Sequence, residues 1–207
     1  MSIISELASM QGRKDEEPNK ELGKRLVETA NLDGIKEAAD NLRNEDRKIQ
    51  IDCLAVLEQV GLLDPGLIEG YLEEFLRLIF GKDNRLIWAA MINIALIADR
   101  KPDQIINRMD DIIAVIEKGS VITQDNGIKT LARAAAAKPE HNSLVFPYLI
   151  DQLNNCRPKS LPQYAESILA AVNPDNQTQY LAVLNKRLNE LSAAQGKRVN
   201  KIIRSFE

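Results

Sequence analysis

Residues 83–102 read DNRLIWAAMINIALIADRKP. Between Leu86 and Ala98 the only polar residue is Asn93, and the stretch holds the chain's single tryptophan, Trp88. A surface helix carries one apolar stripe and one polar face. This stretch has no polar face, so it must cross a membrane, lie buried on all sides, or be covered by a partner. A membrane span needs roughly 20 apolar residues. The run from Leu86 to Ala98 has 13, which disfavours the first explanation.

Sliding the chain against itself separates the other two. A shift of 37 residues superposes Pro65, Pro102 and Pro139. Matched apolar positions follow each proline: Phe75, Ile112 and Leu149; Leu76, Ile113 and Ile150; Ile79, Ile116 and Leu153. The i, i+1, i+4 spacing is the inner side of a helix, here named the A helix. A second set keeps the same shift: Ile49, Leu86 and Thr123; Cys53, Ala90, Gly127 and Tyr164; Leu54, Met91, Ile128 and Ala165; Leu57, Ile94, Leu131 and Ile168. These define a B helix, and the opening stretch is one of them.

Each proline falls at or before the first turn of an A helix, where its missing N–H costs nothing. Asp, Asn and Ser in NEDRK, GKDN and GSVITQDN can cap the B helices. The pattern predicts helix pairs at about 33–60, 66–98, 103–137, 141–172 and 175–206, the last an atypical capping pair. A helix at about 18–31 precedes them in one solenoid domain over 18–207. Residues 1–17 are expected to hold a short helix (Ser2–Met10), packed on the first repeat or on a partner, and a charged, flexible joint, QGRKDEE. No run suggests a strand. One pair cannot bury its own apolar face, but stacked pairs share a continuous core.

Composition agrees. Hydrophobic residues make up 44% and aromatics 4%, and the apolar set of Leu, Ile and Ala favours helix. Charged residues at 28% fit a soluble chain, and the net charge of -3 argues against general attraction to nucleic acid or anionic membranes. Two distant cysteines without CxxC spacing fit a reducing compartment. MSIISELASM has neither a basic start nor a long apolar core and does not read as a signal peptide. The expected location is cytoplasmic.

On these residues the chain resembles the HEAT and armadillo-like repeat families. LVFPYLIDQLNN (144–155), with Pro147 inside, is similar to a HEAT first helix. DNRLIWAAMINIALIA (83–98) and QDNGIKTLARAAAAKP (124–139) are similar to second helices. The resemblance spans about 33–172. It implies an all-α, right-handed α-solenoid of about five helix pairs, with A helices convex and B helices lining a concave face. Two family features are missing. Ile87, Gln124 and Leu161 stand nearest the usual basic position of an inter-repeat ladder. Trp88 is followed four residues later by Ile92, with Asn93 one step off the asparagine of the peptide-clamping type.

The B-helix positions left over after core assignment form i, i+4, i+8 stripes: Ile51, Ala55, Gln59; Trp88, Ile92, Leu96; Asp125, Lys129, Arg133; Pro162, Glu166, Ala170. The second is apolar and the third charged. Trp and Arg are favoured interface anchors, so Trp88, Ile92, Leu96, Asp125, Lys129 and Arg133 are the candidate protein-binding residues. Alternatively, the N-terminal helix or the curvature of the stack covers the stripe. At the C-terminus Lys186, Arg187, Lys197, Arg198, Lys201 and Arg204 face one acid, Glu190, up to Ser205. Lys197, Arg198, Lys201 and Arg204 could hold phosphate or serve as a polar end cap.

Nothing points to catalysis, a cofactor or a metal. His141, the only histidine, is expected in an exposed turn without a catalytic or metal partner. Cys53 reads as a small core residue, and Asp110 and Asp111 as a solvated helix face beside Arg108. Isolated glycines make no phosphate loop. The sequence therefore predicts a non-catalytic scaffold for a protein partner. The alternatives are a nucleic-acid-binding HEAT-like protein and a structural subunit of a larger assembly.

Overall fold

The computed structural model describes residues 2–206. It is an all-α solenoid: among the described residues there are twelve α-helices and no strand. They are α1 (Glu17–Glu28), α2 (Leu32–Asp40), α3 (Arg47–Leu63), α4 (Leu72–Ile79), α5 (Asn84–Ile97), α6 (Pro102–Ile106), α7 (Met109–Lys118), α8 (Val121–Ala136), α9 (Pro139–Asn155), α10 (Leu161–Ile168), α11 (Gln177–Arg187) and α12 (Ala193–Arg204). Two layers result. Helices α1, α3, α5, α8, α10 and α12 pack in that order as the B layer. Helices α2, α4, α6–α7, α9 and α11 form the A layer against them.

The 37-residue phase appears at the helix starts. Asp46 accepts a hydrogen bond from Lys48 N (2.8 Å), Asp83 from Arg85 N and Leu86 N (2.9 and 3.2 Å), and Ser120 from Thr123 N (3.3 Å). Each fills the role of a free helix-start donor's partner. Asp83 also pairs with Arg47 at the start of α3, tying one B helix to the next.

The A layer is less regular than its prolines suggest. Only Pro139 opens one continuous helix, α9, which accommodates Pro147. After Pro65 the chain makes two 3-10 turns, Pro65–Leu67 and Glu69–Tyr71, before α4. Gly66 and Gly70 weaken helix there, and the Asp64 side chain draws Gly66 N into a turn. After Pro102 the A arm breaks into α6 and α7 around Asn107 and Arg108. One three-helix repeat, α6–α8, of the armadillo kind thus stands among two-helix repeats of the HEAT kind.

The opening stretch is α5. It packs on α3, α4 and α8, which explains the missing polar face. Met91, Ile94 and Ile97 are wholly buried. Asn93 is buried too, and its amide donates to Leu54 O of α3 (3.2 Å) and Ala89 O (3.0 Å). No described helix is long and apolar enough to cross a membrane. At the N-terminus Ile3 and Leu7 join the same core. Asn19 and Asp52, both buried, accept the Ala8 and Ser9 amides (2.9 and 2.8 Å).

Candidate protein-binding face

The B layer carries the candidate residues, and the structure divides them. Trp88 and Ile92 lie half-buried on α5. Leu96 does not share their exposure; at 7% it belongs to the core. Its side chain turns to Gly61 of α3, where an added Cβ would lie 3.0 Å from Leu96 Cδ1. Arg133 of α8 donates through Nη1 to Ala95 O (2.9 Å) and through Nη2 to Asp99 (2.7 Å). It closes the C-terminal turn of α5, where free carbonyls and the helix dipole favour a cation. The apolar strip on this face is therefore Trp88 and Ile92, without Leu96, and the Arg133 guanidinium is already committed.

Three charged side chains surround that strip without an ion pair among the described residues. Asp125 and Lys129 of α8 and Glu58 of α3 are all half-buried. Burial pushes the Glu58 carboxyl above its usual range, helped by Glu16 and opposed by Lys20 and Lys129. Burial also raises Asp125, against the pull of Arg157. The Asp125 Oδ1 atom is sealed from solvent with no hydrogen-bond partner. Lys129 is held below the usual lysine range by burial and then by Arg133, with Glu58 opposing. Next to them a cleft of about 430 Å³ opens between α8 and α10, lined by Lys129, Arg133, Gln163, Glu166, Ser167 and Ala170.

Glu58 is absent from the sequence-derived set. The signal was the register itself: Glu58 aligns with Ala95 and Ala132, both buried, so a charge stands where the other repeats carry a small core residue. The N-terminal helix borders this face. Glu16, just before α1, reaches Arg85 on α5 (3.2 Å) across α3, and Ile51 of α3 is buried.

The C-terminal cations also divide. Arg187 is buried, not on the surface; it donates to Leu153 O (2.8 Å) and Cys156 O (2.7 Å) and pairs with Glu190 (2.6 Å). Arg198 pairs with Glu166 (2.6 Å). Lys197, Lys201 and Arg204 are exposed and make no ion pair among the described residues. His141 departs from expectation. It is 8% exposed in the first turn of α9, with Nε2 3.1 Å from Asp103. Asp103 also binds Lys138 (2.6 Å), so the histidine helps join α9 to α6. Cys53 is buried, its thiol pushed up to about 12 by that burial and by Asp52. Asp110 and Asp111 are exposed, with Arg108 on Asp111 (2.9 Å). No group of side chains among the described residues could hold a metal ion.

Solved structures of this shape are helical-repeat proteins. A designed armadillo repeat protein, solved in complex with the peptide (KR)4, matches with TM-score 0.70 at 12% identity, over 96% of this chain and 93% of that one. The chain has the armadillo/HEAT-like helical-repeat fold. A second designed armadillo repeat protein matches this solenoid with TM-score 0.67 at 15% identity, over 93% of each chain. An engineered protein matches with TM-score 0.63 at 18% identity, over 99% of this chain and 96% of that one. No protein-family model and no curated protein matches the chain.

Proposed function

We propose that this solenoid is a non-catalytic scaffold that binds an extended segment of a protein partner along its B-helix face. The observation that carries the reading is the set of half-buried, unpaired charges, Glu58, Asp125 and Lys129, around Trp88 and Ile92. Such charges have lost part of their hydration without gaining a partner. A bound segment supplies the missing donors and counter-charges, and covers the indole. The designed neighbour binds a wholly basic peptide. The mixed signs here favour a partner segment with both acidic and basic side chains.

The test is capture from a lysate of the source cells with three baits: wild type, Trp88→Ala/Lys129→Glu, and Asp110→Lys as a control on the exposed A layer. Wild type and control should retain the same proteins, and the double variant should lose them. Equal recovery by all three baits sinks this face as the site.

A further inference from the structure

A second cleft lies at the edge of the stack, where α7 and α9 end and α8 and α10 begin. Its volume is about 580 Å³, within the range that holds small ligands. None of its lining residues lines the cleft beside Lys129 and Arg133.

Its polar groups are unspent. Among the described residues every arginine except Arg157 and Arg204 is ion-paired. Arg157 lines this cleft. Tyr164 lines it too, only 4% exposed, and its hydroxyl makes no hydrogen bond within the described chain. The Tyr164 hydroxyl is not sealed as that of Tyr148 is, so it stays open to the cleft with its donor free; Tyr180, by contrast, donates to Ala165 O (2.7 Å). Ser160, before α10, makes no side-chain cap; Leu161 N already donates to Pro158 O (3.3 Å) and Pro162 has no N–H, so Gln163 N is the first-turn donor left open. Burial, with Asp125 and Cys156 adding and Arg157 opposing, raises the Tyr164 phenol to about 12, so it stays a donor at neutral pH.

We infer that this cleft binds a small phosphate ester, its phosphate held by Arg157 and the Gln163 amide in the first turn of α10, its hydroxyl-bearing remainder against Tyr164 and Gln124. Donors that approach from several directions suit a tetrahedral anion, whereas a planar carboxylate is satisfied by one guanidinium fork. The cleft exceeds a bare phosphate, which leaves room for the ester. Glu117, the one acid in the lining, can accept a ligand hydroxyl.

Calorimetric titration of the full chain tests this with glucose 6-phosphate, ribose 5-phosphate, glucose and inorganic phosphate as probes. A sugar phosphate should saturate the protein. Arg157→Ala should weaken it about tenfold or more, and Lys201→Ala should not. Tyr164→Phe should melt within a few degrees of wild type, yet weaken the sugar phosphates and spare inorganic phosphate. Saturation by inorganic phosphate alone, with Arg157 required, keeps the phosphate site and makes free phosphate its source. No saturation by any phosphate probe at about 10 mM, or equal affinity in Arg157→Ala, overturns the inference. Neither result bears on the B-helix face.

Discussion

Single residues set the joints between repeats, and two of them give direct tests. Ala30, after α1, adopts φ 49, a left-handed conformation that costs an L-residue about 1–2 kcal/mol. It persists because Asn31 N closes back on Leu26 O (2.9 Å), the hydrogen bonding of a helix C-terminal cap. Ala30→Gly should therefore stabilise the fold by about 1 kcal/mol in urea unfolding; a loss would show that the Ala30 methyl contributes packing. Asp83 makes a pH-dependent contribution. Arg47, then the amides of Leu86 and Arg85, hold its carboxyl at about 2, against 3.8 for the free group. The folded value is the lower one, so this stability is fully present above the unfolded value and lost as pH falls toward about 2. Asp83→Asn keeps a capping oxygen and removes the charge. Its melting temperature should lie below wild type at pH 7, and the gap should close between pH 4 and pH 2.

At the scale of the element, helix approach distances limit substitution. A Cβ on Gly127 would lie 2.3 Å from Ile116 Cγ1, so α8 sits on α7 at a separation only glycine permits. Gly127→Ala should cost about 1–3 kcal/mol through overpacking, despite the gain in helix propensity; an unchanged denaturation midpoint would mean that α7 slides freely. The sequence made this position visible, since Gly127 aligns with Cys53 and Ala90, and small residues at one register mark a tight crossing. Caps at Asp46, Asp83 and Ser120 were equally legible, because capping is local chemistry. Arg133, Arg187 and His141 were not. Each works on a preceding repeat: Arg133 on Ala95, Arg187 on Leu153, His141 on Asp103. A long side chain that reaches back about one period looks, in sequence, like any surface charge. The spacing was the available clue, and it needs the stack to give it meaning. Leu96 leaves the candidate strip for a reason that also needs the stack: Gly61 of α3 makes room for its side chain, an added Cβ there lying 3.0 Å from Leu96 Cδ1.

For the whole molecule, the stack makes stability depend on position. Each helix contacts mainly its sequence neighbours and the adjacent repeat, so protection should follow the number of neighbouring repeats and not helix propensity. Helices α3, α5, α8 and α10 have B-layer neighbours on both sides, with α5 and α8 the central pair farthest from either end, whereas α12 has only α10. The N-terminal end is closed differently, because Ile3 and Leu7 are buried there and Asn19 and Asp52 hold the adjoining backbone. Amide exchange at neutral pH should therefore be slowest in α5 and α8, intermediate in α1 and α3, and fastest in α11 and α12. Deleting residues 2–10 should speed exchange in α1 and α3 strongly, because two large apolar side chains leave the core and two buried polar groups each lose a backbone donor. Exchange in α8 should barely change, since two B helices separate it from the lesion. If the deletion instead accelerates exchange equally in every helix, the chain unfolds as one cooperative unit and the repeat-by-repeat account of its stability is wrong.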